Sequence, residues 1–354
     1  MRLTKVRELL AQHNLDAMLI SQPENRRYLA GFTGSAGWLI VTADRALLAT
    51  DFRYFDQVAR EAPAFELVRV EGQFSDLLPQ LMVDLQVQRL GFESQYVTVA
   101  QLYEWSQETA GMDWLPLEDS VEALRAVKGA AEVEALRRSA ALTDEAFAHL
   151  VQRIEPGMTE REAAWEIEAY MRTHGASKVA FDLIVAAGPN GALPHARAGD
   201  RAIQPGEPVV VDIGCILDGY CSDMTRTFCL GQPGPEYLEV WHLVLQAQEA
   251  AEARIRAGLS GVEADAIARA VIDEAGYGEY FGHGLGHGVG LAIHEGPRAG
   301  RLSRDRLEAG MSLTIEPGIY LPGRFGVRLE DLAIIHKDGI EILTNTPKMP
   351  VVDR

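Results

Sequence analysis

Four acidic residues stand where an acid is expensive. Asp212 is flanked by Val210, Val211 and Ile213, Glu316 by Leu313, Ile315 and Ile319, and Glu330 by Leu329, Leu332 and Ala333. Asp223 follows Asp212 across Gly219-Tyr220, and Glu330 follows Glu316 across Pro322-Gly323, so each pair reads as belonging to adjacent strands of a strand-turn-strand unit. An ionised carboxylate inside an apolar strand is costly unless it is paired or binds a metal, and four that converge repel one another without cations. Arg226 and Arg328 lie near in sequence, but two guanidinium groups cannot neutralise four acids.

An imidazole comes from Phe281–Gly290, FGHGLGHGVG, with His283 and His287, and His294 follows shortly after. Alternating glycines let a backbone approach a site closely and let imidazoles point into it. A glycine-rich strand carrying all three histidines is expected, with His287 as the fifth ligand. Carboxylate oxygens with one imidazole suit Mn²⁺, Co²⁺, Fe²⁺ or Zn²⁺. Four carboxylates suffice to bridge two divalent ions at the roughly 3.5–4 Å separation of two-metal hydrolases, where a bridging water is acidified and the oxyanion of amide attack is stabilised.

The elements that position these residues repeat. Gly157-Met-Thr-Glu-Arg-Glu-Ala163 matches Gly258-Leu-Ser-Gly-Val-Glu-Ala264, 101 residues on. Thr159 and Ser260 read as helix N-caps with Glu162 and Glu263 three residues later, a capping box used twice. Both helices are expected to end near a glycine, Gly175 and Gly276. Gly206–Gly214, GEPVVVDIG, matches Gly310–Gly318, GMSLTIEPG, 104 residues on. Each half therefore carries helices and then an apolar strand that ends in a carboxylate and a glycine. Two copies of one α/β unit about a pseudo-twofold bring Asp212 and Glu316 together.

The first ~125 residues alternate helical and strand patterns. Asp16–Ser21 reads as a buried strand, and Trp38–Val41 with Ala46–Thr50 as a hairpin over the polar turn Thr42–Arg45. Gly31–Gly37, GFTGSAG, reads as a tight turn rather than a phosphate loop or substrate edge. From Gly129 the pattern becomes one long amphipathic helix, Ala130–Ile154, closed by Pro156-Gly157. The boundary is placed near Ser120–Gly129, giving domains 1–125 and 126–354. Composition agrees with a two-domain globular chain: 354 residues, 47% hydrophobic and 24% charged. A net charge of -18, from 51 acidic and 33 basic residues, argues against nucleic acid as a partner. No run approaches the ~18 apolar residues of a membrane span, and MRLTKVRELLAQHNLDAMLIS lacks the apolar core of a signal peptide. Cys215, Cys221 and Cys229 form no CxxC pair and read as reduced thiols. The expected location is the cytoplasm.

The order Asp212, Asp223, His287, Glu316, Glu330, with Gly-His-Gly-x-Gly-His-Gly-x-Gly and Glu-Pro-Gly-Ile-Tyr, resembles the pita-bread metallopeptidases: methionine aminopeptidase, prolidase (Xaa-Pro dipeptidase) and aminopeptidase P. The first ~125 residues resemble the creatinase/prolidase N-terminal domain. The resemblance implies an α/β fold: a creatinase/prolidase-like domain, then a pita-bread domain built from the duplicated unit around a mainly antiparallel sheet. It implies that Asp212 chelates one ion, Asp223 and Glu330 bridge both, and His287 with Glu316 completes the other, Mn²⁺ being the first expectation. It also implies that Glu316 takes the proton of the attacking water, that His195 and His294 contact the scissile carbonyl and the tetrahedral intermediate, that His283 supports them, and that Arg328 orients the network. A homodimer is implied, with the N-terminal domain of one subunit restricting access to the site of another.

Substrates are expected to be proline-containing peptides. An imide bond offers no N–H, which defeats proteases that need that donor, and a specialist needs an apolar slot, for which Phe181, Leu183 and Ile293 are candidates. Gly31–Gly37 and Thr50-Asp-Phe-Arg-Tyr-Phe55 look like aminopeptidase P, the favoured reading; Arg298 stands where some prolidases hold a dipeptide's carboxylate. A ligand-stripped pita-bread module that only binds peptides or histones is disfavoured by the intact ligand set, as is metal-free creatinase.

Overall fold

A computed structural model describes residues 2–353, which form two compact units divided between Arg125 and Ala126. The first unit is built on a mixed six-stranded sheet in the order Glu66–Arg69, Ala46–Thr50, Trp38–Thr42, Ala17–Ile20, Arg89–Glu93, Asp113–Leu117. The apolar run Ala17–Ile20 is buried throughout, as a central strand requires. Trp38–Thr42 and Ala46–Thr50 pair as an antiparallel hairpin with Val41 opposite Ala46. Gly31 ends the helix Pro23–Ala30 in the left-handed region, φ 77°. Arg26 donates to the carbonyls of Ser21 (3.0 Å) and Gly34 (3.1 Å), so the glycine-spaced stretch is a turn fastened from beneath.

The second unit is duplicated. Helices Ala130–Arg153 and Glu160–Thr173 belong to the first half, Pro235–Glu252 and Gly261–Glu274 to the second. Both capping boxes form. The Thr159 hydroxyl accepts from Glu162 N–H at 3.1 Å while Glu162 Oε2 accepts from Thr159 N–H at 2.9 Å; Ser260 and Glu263 do the same at 3.2 and 2.7 Å. Gly175 (φ 109°) and Gly276 (φ 83°) follow the two helix ends. Because the two caps are geometrically alike, Thr159→Ala and Ser260→Ala are each expected to lower stability by about 1 kcal/mol. Urea unfolding checks this; a cost confined to one of them would break the equivalence.

The strands of this unit are short and fall into several sheets rather than one. In the first half Pro208–Ile213 lies between Ile184–Ala187 and Met224–Leu230, antiparallel to both, and Val351–Val352 adds in parallel beyond Met224–Leu230. In the second half Ser312–Ile315 pairs with Asp331–Ile335, which pairs with Ile340–Ile342. Each half has its own apolar core, one around Phe147, Ile167 and Phe228, the other around Trp241, Ile267 and Phe281. The halves meet along a seam where Glu330 N–H donates to Thr225 O (3.0 Å) and the Thr227 hydroxyl donates to Arg328 O (2.8 Å).

The register corrects one part of the duplication. Asp212 lies opposite Thr225, while Ile315 lies opposite Asp331, and one further step sets Glu316 opposite Glu330. The counterpart of Glu330 in the first half is therefore Thr225. Asp223, two residues earlier on the same face, is equivalent to Arg328. Like His287, it has no duplicate.

Candidate metal centre and active site

Asp212 and Glu316 end the apolar strands of their halves; Asp223 and Glu330 immediately precede the strands paired to them. His287 arrives on the three-residue strand Gly286–Gly288, whose N–H at His287 donates to the Thr314 hydroxyl at 2.9 Å. Its glycines permit that approach. A Cβ on Gly286 would lie 1.8 Å from Thr314 O, and one on Gly288 2.1 Å from Gly296 O. The glycine-rich stretch is not one strand bearing three histidines, as expected. His283 lies in the bend before it and His294 in the turn after it. The backbone bulges between His287 and Gly288 where it pairs with Glu295–Ala299.

One ligand atom from each of Asp223, His287 and Glu330 lies within 4.8 Å of the others. His287 Nε2 is 3.6 Å from Asp223 Oδ2 and 3.5 Å from Glu316 Oε1. The ring's other nitrogen faces Gly288 O at 3.1 Å. A carbonyl only accepts, so Nδ1 carries the proton and Nε2 presents its lone pair to two carboxylate oxygens. Burial holds His287 below the ordinary histidine pKa, which keeps that ring neutral at pH 7. Burial, then the charges of Glu330, Asp212 and Glu316, pushes the Asp223 carboxyl well up; burial, then Glu316 and Asp212, does the same to Glu330. Glu316 is raised chiefly by burial. Arg226 does not relieve them: it pairs with Asp331 at 2.7 Å, both side chains nearly inaccessible. Arg328 pairs directly only with Asp212, through Nη2 to Oδ2 at 2.5 Å; its charge offsets only part of the rise at Asp223, Glu316 and Glu330, and Asp212 Oδ1 stays buried with no hydrogen-bond partner among the described residues. Mutually repelling carboxylates, an orphaned buried oxygen and an inward lone pair together make a donor set suited to a cation. The residues fit a divalent metal.

Around this set Arg328 Nη1 donates to the Tyr320 hydroxyl (2.7 Å) and Nε to the Thr225 hydroxyl (3.1 Å), while Thr225 donates to Glu330 Oε2 (2.7 Å). Tyr320 is 2.9 Å from His283 Nε2, and His283 Nδ1 is 2.8 Å from Gly284 O. His283 Nδ1 must donate to that carbonyl, so Tyr320 donates to Nε2 and both ring nitrogens are engaged by protein. Burial, outweighing Arg328, pushes the Tyr320 hydroxyl pKa up to about 12, so it stays a donor. Thr314 donates to Glu316 Oε1 at 3.0 Å. Tyr320, Thr225 and Thr314 escaped sequence reasoning. Tyr320 lies in the Glu-Pro-Gly-Ile-Tyr segment, but a motif letter does not show which group a hydroxyl will bridge.

One cavity of about 900 Å³ is lined by Asp212, Asp223, His287, Glu316 and Glu330, by His195, His283, His294 and Arg328, and by Phe181, Ile293 and Arg298. His195 and His294 are exposed to it; partial burial, then the neighbouring His287, Arg298 and His195, holds His294 below the ordinary histidine pKa. The Phe181 ring packs on Gly214, where a Cβ would lie 2.9 Å from Cε1, two residues from Asp212. Leu183 is not in the cavity. It is buried in the core of the first half, on the opposite face of the chain from Ile184, which does reach the cavity. The Arg298 guanidinium makes no hydrogen bond or ion pair among the described residues; its backbone N–H is held by Asp305 at 2.7 Å.

Residues 134–337 match the family model for metallopeptidase family M24, and residues 2–127 that for the creatinase/prolidase N-terminal domain. The chain is 40% identical to the uncharacterized peptidase YqhT of Bacillus subtilis (strain 168), covering 99% of this chain and 100% of that one. The solved structure of the Xaa-Pro dipeptidase from Bacillus anthracis superposes with a TM-score of 0.97 at 40% identity, covering 99% and 98%. That of the X-Pro aminopeptidase from Thermotoga maritima MSB8 superposes at 0.90 with 38% identity, covering 96% and 98%. No helix among the described residues is long and apolar enough to cross a membrane. With a ligand set, a cavity and three matches over nearly the whole chain in agreement, the chain belongs to metallopeptidase family M24 and carries that family's catalytic domain behind a creatinase/prolidase N-terminal domain.

Proposed function

We propose that the protein is an Xaa-Pro peptidase, hydrolysing the bond that precedes proline, with two divalent ions, Mn²⁺ first, held by Asp212, Asp223, His287, Glu316 and Glu330. The observation that carries the reading is the convergence of this charged donor set with neutral imidazoles in one cavity. Bound divalent ions supply Lewis acidity and an acidified water. In this reading Glu316, oriented by Thr314, accepts the proton of the attacking water. His195 and His294 donate to the carbonyl oxygen as it gains charge. Arg328 fixes Asp212 and, through Tyr320, the ring of His283. Phe181 and Ile293 give the proline ring apolar contact. Residues 126–354 are the catalytic domain in this reading, and 1–125 an accessory domain that limits access in a homodimer. Cys215, Cys221 and Cys229 are buried and form no disulfide among the described residues, which is compatible with a reducing, cytoplasmic setting.

Two narrower readings divide on the length of the peptide. The first-domain segments Gly31–Gly37 and Thr50–Phe55 favour aminopeptidase P, and the Thermotoga relative is named an X-Pro aminopeptidase. An unengaged guanidinium on the cavity wall favours capture of a dipeptide's carboxylate, and the Bacillus anthracis relative is named an Xaa-Pro dipeptidase. We take the dipeptide reading as the better supported. Steady-state rates on Ala-Pro and Ala-Pro-Ala with Mn²⁺ test it. Ala-Pro is expected to be the better substrate, and Arg298→Ala to raise its KM about tenfold or more, the worth of a charge-assisted hydrogen bond. Faster turnover of Ala-Pro-Ala with no KM change in Arg298→Ala would leave the aminopeptidase reading.

A further inference from the structure

The ion pair between Lys128 and Glu295 has no part in the functions assigned above. Its side chains are 1% and 5% exposed, with Nζ 3.1 Å from Oε2. A buried ion pair contributes little net stability compared with apolar side chains of the same volume, so what it holds matters more than what it adds. Glu295 directly follows His294. Its Oε1 accepts the N–H of Ala292 at 2.9 Å, and a Cβ on Gly290 would lie 2.5 Å from its Oε2. The turn 290–294 is thus wrapped around one carboxylate. Its start is closed by Gly290 N–H to Ala292 O (3.0 Å) and docked by Cys221 N–H to Gly290 O (2.7 Å). This turn carries Ile293 and His294 to the cavity. The His294 ring has no hydrogen bond among the described residues, and its ring contact there is with His287, edge-to-face at a centroid distance of 4.4 Å. Its direction is therefore set by the turn. Lys128 reaches the turn from the segment before helix Ala130–Arg153, where its own N–H is fixed to Gly310 O at 2.8 Å.

We propose that Lys128 and Glu295 are positioning residues for the hydrolytic reaction, locking the turn so that the His294 imidazole is aimed at the reacting carbonyl. The proposal rests on the reading of His294 as the donor to that carbonyl. Removing the ammonium takes away the cation that faces the carboxylate at 3.1 Å, and the turn loosens around it. The expected loss falls on kcat, because the imidazole acts on charge that develops after binding.

The test uses the full chain with saturating Mn²⁺ and Ala-Pro, comparing Lys128→Met, Lys128→Arg, Glu295→Gln, His294→Ala and the double variant Lys128→Met/His294→Ala. Lys128→Met is expected to lower kcat at least tenfold with KM and calorimetric Mn²⁺ affinity within threefold, and Lys128→Arg to recover most of that loss. In the His294→Ala background Lys128→Met is expected to cost less than a further twofold, since both changes remove one function. Two losses that multiply independently, or an unchanged kcat in Lys128→Met, would overturn the proposal. Should Lys128→Met not fold, Glu295→Gln carries the same expectation, because it keeps its size and its acceptor for Ala292. An unchanged kcat in His294→Ala alone would instead overturn the reading of His294 and, with it, the proposal; a fall there with no fall in the Lys128 and Glu295 variants leaves that reading standing and removes the positioning role alone.

Discussion

Glu316→Gln is expected to lower kcat on Ala-Pro by about a hundredfold to ten-thousandfold, the range a positioned general base contributes. The substitution is nearly isosteric, and the amide oxygen can still accept from the Thr314 hydroxyl now 3.0 Å from Oε1. The strand Ser312–Ile315 and its pairing with Asp331–Ile335 should therefore persist. What disappears is a proton acceptor and one negative charge beside His287 Nε2. Those two losses separate experimentally. A titration with Mn²⁺ reports the charge, and kcat at saturating metal reports the base. If kcat stays within tenfold of the wild type at saturation, Glu316 is not the base.

Glu330→Gln is expected to act with opposite signs in the metal-free and metal-loaded protein. In the metal-free fold, burial and the charges of Glu316 and Asp212 raise the Glu330 carboxyl well above its ordinary value. Between that ordinary value, about 4, and the raised one, the folded chain binds more protons than the unfolded chain. Stability contributed by this group is thus present at low pH and lost as pH rises through the window. Removing the charge relieves the repulsion, so metal-free Glu330→Gln should exceed the wild type in stability by ~1 kcal/mol or more at pH 7.5, and by little at pH 4. With Mn²⁺ the order reverses, because the variant offers one donor fewer and gains less from ligation. Activity should fall with it. Melting temperatures in EDTA and in Mn²⁺ at the two pH values check the pattern. A variant less stable than the wild type in EDTA at pH 7.5 would show that these carboxylates are not held against their own repulsion.

Much of this was legible because expensive residues announce themselves. Acids within Val/Ile/Leu strands have few explanations, and a capping box repeated at Thr159 and Ser260 exposes a duplication whatever the divergence between. The glycines at 286 and 288 were equally telling, since only a close backbone approach explains them. Register was not legible. That Thr225 rather than Asp223 opposes Asp212 depends on the hairpin Cys215–Cys221 inserted between the strands, and spacing alone does not show how many residues such an insertion consumes. Side-chain hydroxyls were hidden for another reason. Thr225, Thr314 and Tyr320 are ordinary β residues by type, and their bonds to Glu330, Glu316 and Arg328 arise only when distant segments meet. Leu183 and Ile184 show the same limit at one residue's resolution: which neighbour faces the cavity is a matter of strand phase.

The seam between the halves has a further consequence. Asp212 and Asp223 belong to a body with its own core, and His287, Glu316 and Glu330 to a second body with another. In the proposed reading an ion held by both would work as a rivet through two plates. Its residence time then reports how often the plates part, and agents that pry them open, such as heat or urea, should release the ion before either core melts. Inactivation is then expected to begin at the joint.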